Sequence, residues 1–205
     1  MSFYRLAKEG KILPDLERAL FDMAGNAIHE TQKQYDGEFK ISVNITAKSL
    51  LWDIEGCIKD CLKKYDIPSQ KLWLEITEQD ILVNTDTVID KLNHLKKLGH
   101  TLLIDDFGMG HTSLIYLQSN YFNVVKLDGS LVKKMLDSKT SQEIISSIVE
   151  LGNKLGVKII AEFVETEHHW NMLAELGCNW YQGYLFSKPV PLDEFISYLK
   201  EHNPH

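Results

Sequence analysis

The polar residues of this sequence recur in one pattern. An apolar run ends and a side chain with chemistry follows it: Val43 then Asn44, Leu74 then Glu75, Ile104 then Asp105 and Asp106, Val125 then Lys126, Ala161 then Glu162, Tyr181 then Gln182. Most of these are hard oxygen donors. Carboxylates joined by one amide favour Mg²⁺, Mn²⁺ or Ca²⁺ over zinc. Adjacent aspartates can lie one on each of two ions, and two ions a few ångströms apart suit in-line attack of water on a phosphodiester. One ion lowers the pKa of the water, and both offset charge building on the phosphorus oxygens. Lys126 would orient that water or neutralise the phosphate. Glu162 would ligate metal or accept a proton.

Taken singly, each residue has a simpler explanation. Asp105-Asp106 before Phe107-Gly108 reads as a turn. Asn44 reads as a strand-end cap, Glu75 and Glu78 as solvated charges or Glu78 as a capping group, and Lys126 as a surface lysine. Glu162 and Glu165 read as caps of the helix that follows, and Gln182 as a buried, satisfied amide. Repetition on consecutive apolar runs favours the joint reading. His111, His168 and His169 read as exposed helix and loop positions, because no third ligand sits at zinc spacing. Trp73 and Trp180 read as core or rim packing.

These residues need elements that bring them together. Pro14 opens a helical pattern from Asp15 to about Gln34, with Leu16, Leu20, Met23 and Ile28 in its apolar stripe. Strands are expected over Lys40–Ile45, Leu72–Thr77, Thr101–Asp105, Val124–Leu127, Val157–Glu162 and Trp180–Gln182. Helices are expected over Ser49–Tyr65, Thr85–Leu98, near Leu114, and over Ser141–Leu155, Glu167–Leu176 and Leu192–Leu199. Such alternation predicts βα units around a parallel sheet whose strands are apolar on both faces. A doubly wound sheet and a TIM-type barrel both fit. No G-x-G-x-x-G follows a strand, which counts against the nucleotide-binding doubly wound form. In a barrel the C-terminal strand ends meet at one mouth, which would hold Asn44, Glu75, Asp105, Asp106, Lys126, Glu162 and Gln182.

Composition narrows the function. With 205 residues, 44% of them hydrophobic and 25% charged, one globular domain over residues 1–205 is expected. Acidic residues outnumber basic ones by 29 to 22, and Arg5 and Arg18 are the arginines. That balance excludes a non-specific grip on polynucleotide but leaves room for a phosphorylated ligand held through metal ions. Cys57, Cys61 and Cys178 read as buried, reduced thiols. No apolar run reaches the ~18 residues of a membrane span, and the start of the chain does not read as a signal peptide. The expected location is the cytoplasm.

With this order and spacing the sequence resembles the EAL domain family, from about Phe3 to Phe195. The motifs are Ser42-Val43-Asn44-Ile45, Leu74-Glu75-Ile76-Thr77-Glu78, Ile104-Asp105-Asp106-Phe107-Gly108, Val125-Lys126-Leu127-Asp128, Ala161-Glu162-Phe163-Val164-Glu165-Thr166 and Gln182-Gly183-Tyr184-Leu185-Phe186-Ser187-Lys188-Pro189. The resemblance implies a TIM-barrel-like phosphodiesterase module that opens cyclic di-GMP to linear pGpG with two Mg²⁺ or Mn²⁺ ions. It implies Asn44, Glu75 and Asp105 on one metal and Asp106 on the second. Lys126 would hold the nucleophilic water, Glu162 would be a metal ligand or base, and Gln182 would help position water or ligand. Glu78 would brace the loop Gly108 to Ser113, which in the family couples metal binding to dimerisation.

The sequence departs from the family in three places. Met109 stands where the family loop usually has threonine, and Phe163 where it often has glycine. The Glu-Ala-Leu motif is absent, since the chain opens at Phe3-Tyr4-Arg5-Leu6-Ala7-Lys8-Glu9, where the family continues after its second strand. The motif's glutamate is a metal ligand in the family, and the nearby arginine helps hold the dinucleotide. Glu9 and Glu17, on helical segments, are poor substitutes for that glutamate. The expectation is an N-terminally truncated, incomplete barrel of six βα units lacking the family's first two strands. Open sheet edges near Ile41 and Trp180 invite pairing with another chain, so a homodimer through them or through the Gly108–Ser113 region is expected. The leading functional expectation is a cyclic di-GMP phosphodiesterase. The alternative is a non-catalytic module that is a cyclic di-GMP receptor or a protein-interaction domain. A more distant one is proton abstraction next to a carboxylate, with Lys126 as base and one Mg²⁺.

Overall fold

A computed structural model describes residues 13–82, 85–108, 117 and 121–202. The helix expected near Leu114 and the loop residues Met109 to Ser113 lie outside the described residues. In chain order the elements are α1 (Leu13–Gln32), β1 (Ile41–Asn44), a 3₁₀ turn (Ser49–Leu51), α2 (Ile54–Tyr65), a second 3₁₀ turn (Ser69–Lys71) and β2 (Leu72–Thr77). There follow α3 (Glu78–Leu82), α4 (Thr85–Lys97), β3 (Thr101–Phe107), β4 (Val124–Leu127), α5 (Gly129–Lys134) and α6 (Lys139–Leu155). The chain closes with β5 (Lys158–Ala161), α7 (Glu167–Glu175), β6 (Trp180–Tyr181) and α8 (Leu192–His202).

The strands run in the order β1-β2-β3-β4-β5-β6. The pairs β1–β2, β3–β4, β4–β5 and β5–β6 are parallel. A doubly wound sheet reverses its strand order at a switch point. A sequential parallel order is the TIM-type arrangement, so the fold is TIM-barrel-like α/β. The described residues form two compact units, one of residues 13–75, 85–100 and 191–202, the other of 76–82 and 101–190.

In the first unit α1 buries Leu13, Glu17, Phe21, Ala24, Gly25, Ile28 and Thr31. The stripe is therefore turned from the expected one, and Met23 is 69% exposed. Cys61 of α2 reaches the same face and donates its thiol hydrogen to the Phe21 carbonyl at 3.0 Å. A Cβ on Gly25 would lie 2.5 Å from the Tyr65 ring and 2.6 Å from Cys61 Sγ, so only glycine permits this helix crossing. Burial pushes the Cys61 thiol up to about 11, consistent with a packing role. Cys178 is also buried and Cys57 half-buried, and all three thiols are free.

The single helix expected over Ser49–Tyr65 is broken. The chain leaves the 3₁₀ turn at Trp52, and Asp53 starts α2 by accepting from Gly56 N–H at 3.0 Å. The register of β1 on β2 sets Asn44 level with Glu75. His100 closes this part of the unit. It is 8% exposed, and its buried Nδ1 has no hydrogen-bond partner among the described residues. Burial pushes its pKa down from 6.5, opposed by Glu55. The folded state thus disfavours the imidazolium. The stability His100 contributes is fully present above pH 6.5 and is lost as pH falls through the lower folded value. The urea midpoint is expected to fall between pH 7.5 and about 5.5, and His100→Leu should flatten that limb. An unchanged slope in the variant would refute the assignment.

In the second unit the strands are apolar on both faces, as parallel strands covered by helices must be. Leu102, Ile104, Val124, Val125, Leu127 and Ala161 are all within 1% of complete burial. Helix α6 begins two residues earlier than expected because Ser138 accepts from Ser141 N–H at 3.2 Å. The short helices α3 and α5 were not expected from the apolar periodicity.

Candidate metal centre

An irregularity in β3 builds the site. Between Ile104 and Phe107 the β3–β4 register slips, so that Asp105 and Asp106 together stand opposite Lys126. This is a β-bulge, not the turn that Asp-Asp-Phe-Gly suggests. Consecutive strand residues ordinarily point to opposite faces. Here the extra residue and the left-handed backbone of Asp106, with φ of 54°, bring both carboxylates to one place. Asp105, Asp106 and Glu162 each offer an oxygen, and these oxygens lie within 4.8 Å of one another.

Lys126 sits between them. Its Nζ is 2.7 Å from Glu162 Oε1 and 3.3 Å from Asp105 Oδ1, and the residue is 6% exposed. The buried Asp105 Oδ1 is within ion-pair range of this ammonium but accepts no hydrogen bond among the described residues. Burial and the neighbouring Asp105 push the Asp106 carboxyl up, Asp128 and Glu78 add to this, and Lys126 opposes it. Three carboxylates against one ammonium leave two negative charges, with an oxygen in want of a partner. That donor set fits a hard divalent cation.

Glu162 and Gln182 follow the paired residues Ala161 and Tyr181. The Gln182 N–H donates to Ala161 O at 2.8 Å, and its carbonyl accepts from Val164 N–H at 3.1 Å. The two side chains line a cavity of about 180 Å³ with Phe163, Glu165, Gly183 and Tyr184. A Cβ on Gly183 would lie 2.2 Å from the Val164 carbonyl, so the segment closes on the β5 loop only with glycine there. Phe163 holds φ of 55°, a conformation glycine takes without strain. Its ring rests on Gly129, and Lys133 Nζ lies 4.3 Å from the ring centre.

The second unit thus brings together Asp105, Asp106, Lys126 and Glu162, with Gln182 beside Glu162 in the cavity. Glu78 starts α3 and is 1% exposed, whereas most of the loop it was expected to brace lies outside the described residues. Asn44 and Glu75 belong to the first unit, with Asn44 exposed at the end of β1 and Glu75 4% exposed within β2. The solvated-charge reading of Glu75 and Glu78 and the surface reading of Lys126 fail, because all three are buried, whereas Glu78 does stand at the first position of a helix. Gln182 is exposed and not a buried amide. Thr166, not Glu162 or Glu165, caps α7 by accepting from His169 N–H at 3.2 Å. His169 is buried against the Thr166 hydroxyl at 3.0 Å, where an exposed position was expected. Asp128, which its motif carries without an assigned role, neighbours the cluster and adds to the upward push on the Asp106 carboxyl. It caps α5 through Ser130 N–H at 2.8 Å, and an aspartate directly after a strand was the available signal.

The chain belongs to the EAL domain family, whose model matches residues 1–189. It is 39% identical over 152 residues to the cyclic di-GMP phosphodiesterase PdeA of Borreliella burgdorferi, covering 74% of this chain and 23% of that protein. Among solved structures it is similar to the EAL enzyme Bd1971 with cAMP and cyclic-di-GMP bound. The TM-score is 0.91 at 30% identity, over 97% of this chain and 55% of that one. It is also similar to the manganese and cyclic di-GMP complex of Klebsiella pneumoniae BlrP1, with a TM-score of 0.75 at 29% identity over 92% of this chain and 46% of that one. The chain spans about a quarter of the length of most curated relatives it matches. No described helix is long and apolar enough to cross a membrane.

Proposed function

We propose that this chain is a divalent-metal-dependent phosphodiesterase that opens cyclic di-GMP to linear pGpG. The observation that carries the reading is the cluster built by the β3 bulge: three carboxylate oxygens within 4.8 Å, with a buried lysine between two of the groups. Membership of the EAL family and the likeness to a named cyclic di-GMP phosphodiesterase support the substrate.

Asp105 and Asp106 would hold two ions, with Glu162 serving as ligand or base, and for Asn44 and Glu75 we carry over the metal-ligand roles that the family resemblance implies. We take the ions to be Mg²⁺ or Mn²⁺, which when bound supply Lewis acidity and lower the pKa of the attacking water. The Lys126 ammonium, held by Asp105 and Glu162, donates to the water oxygen and fixes its line of approach. Glu162 accepts the proton that the water gives up. The water oxygen bonds to phosphorus as the bond to the ribose 3′ oxygen breaks. That oxygen takes up a proton from solvent water and Glu162 releases its own to solvent, leaving a 3′-hydroxyl and a 5′-phosphate. Gln182 and the cavity beside it hold the ligand.

We further read residues 1–205 as a single EAL-like domain, which is supported by one family model running through both units. Self-association is supported by the places of β1 and β6 as end strands of the sheet among the described residues. Three free cysteines support a reducing, cytoplasmic location.

The test is chromatography of cyclic di-GMP incubated with the chain in Mg²⁺ or Mn²⁺, and again after chelation. Linear product that appears only with metal is expected. No product at any metal concentration overturns the reading.

A further inference from the structure

Glu17 occupies a position of α1 where the buried stripe calls for an apolar residue, one turn after Leu13 and one before Phe21, and it is 1% exposed. A carboxylate at such depth is costly unless donors meet its oxygens. Both oxygens are met. Oε1 accepts from the Ser49 hydroxyl, and Oε2 accepts from the Trp52 indole N–H at 2.9 Å.

The first of these bonds sets the proton directions of its neighbours. Ser49 Oγ has one hydrogen, and the acceptor-only carboxylate takes it. Oγ therefore accepts, from Thr46 N–H at 2.7 Å and from the Thr46 hydroxyl at 2.8 Å. Thr46 Oγ1 accepts in return from Ser49 N–H at 3.2 Å. This is a reciprocal box of the capping type across Thr46–Ser49, leading into the 3₁₀ turn and anchored to a helix more than thirty residues earlier. Thr46 lies two residues past Asn44. Ile45, between them, donates its N–H to Glu75 O at 2.7 Å. The chain leaving β1 is thus held by β2 at Ile45 and by α1, through Ser49, at Thr46.

We propose that Glu17 is a positioning residue for Asn44. It fixes the backbone as it leaves β1, and with it the amide oxygen that Asn44 would offer to a divalent ion. The inference rests on the reading of Asn44 as a metal ligand. Supporting partners of metal ligands ordinarily change affinity by about 10–100-fold when removed.

The experiment uses the full chain with Glu17→Leu, Glu17→Gln, Ser49→Ala, Asn44→Ala and the double variant of Glu17→Leu with Asn44→Ala. Mn²⁺ binding is read from the spin-resonance signal of free Mn²⁺, the Asn44 side-chain amide by NMR in metal-free protein, and folding by urea titration. Glu17→Leu should unfold cooperatively, bind Mn²⁺ about tenfold more weakly and move the Asn44 amide resonance. Ser49→Ala should act in the same direction. Glu17→Gln should be intermediate, because its one acceptor serves Trp52 while its NH₂ faces Ser49. The double variant should bind Mn²⁺ no worse than Asn44→Ala, because the two act through one ligand. Losses that sum in the double variant overturn the proposal. If Asn44→Ala binds Mn²⁺ like the parent, the ligand reading of Asn44 fails, and the proposal fails with it as a statement about metal. An Asn44 amide unmoved in both Glu17→Leu and Ser49→Ala overturns the positioning itself. Should Glu17→Leu not fold, Ser49→Ala decides alone.

Discussion

Glu162→Gln is expected to lower kcat for cyclic di-GMP by about a thousandfold while raising KM far less. The substitution keeps shape and most packing, so the cavity shared with Gln182 should persist. It removes the charge that draws a divalent ion toward Asp105 and Asp106. Under the proposed mechanism it also removes the acceptor for the proton of the attacking water. Loss of a positioned base alone costs about 10²–10⁴-fold. The Lys126 ammonium, now 2.7 Å from an amide instead of a carboxylate, keeps only Asp105 of its two anionic partners in the cluster. Steady-state kinetics at saturating Mn²⁺ checks this. A variant retaining a tenth of the parent rate would remove Glu162 from the chemistry.

Lys126→Met should strongly destabilise the second unit. The side chain is 7% exposed and shares its charge between Asp105 and Glu162. Methionine fills much of the volume but leaves the carboxylates facing each other without their cation. Removing one partner of a buried ion pair costs about 3–5 kcal/mol. At roughly 2–4 °C per kcal/mol for a chain of this size, the melting temperature should fall by about 10 °C in metal-free buffer. Added Mn²⁺ should return more of that loss to the variant than it adds to the parent, because the ion takes over the missing positive charge. Turnover should stay about a hundredfold down even with metal, since the ammonium proposed to orient the water is gone. Calorimetry of both proteins with and without Mn²⁺ decides it, and a variant that melts with the parent would contradict the reading of the cluster.

How far sequence carried the description depended on the range of the interaction involved. Strands β2 and β4 came out with their true bounds, because continuous apolar runs mark strands covered on both faces. Asp105, Asp106, Lys126 and Glu162, which the second unit brings together, were legible for the same reason, as each interrupts or follows such a run. The bulge was not. Asp-Asp-Phe-Gly has the composition of a turn, and only the pairing of β3 with β4 shows two aspartates opposite one lysine. Glu17 was hidden in a similar way. A glutamate on a helix reads as solvated until Ser49 and Trp52 are brought to it across the chain. The turned stripe of α1 follows from the same contact, with Glu17 taking an inner position and Met23 facing out. The break at Asp53 was missed because helical periodicity continues across it. There the local cap wins over the longer-range pattern.

The bulge also limits how portable this chemistry is. Copied as a string onto an evenly paired strand, Asp-Asp would send its carboxylates to opposite faces, one inward and one away. What must be transplanted is a mismatch in count, two residues on one strand against one on its neighbour, together with the lysine that occupies the single place. The centre is therefore a property of two strands held out of step. A designer moving it to another scaffold would copy the irregularity first and the residues second.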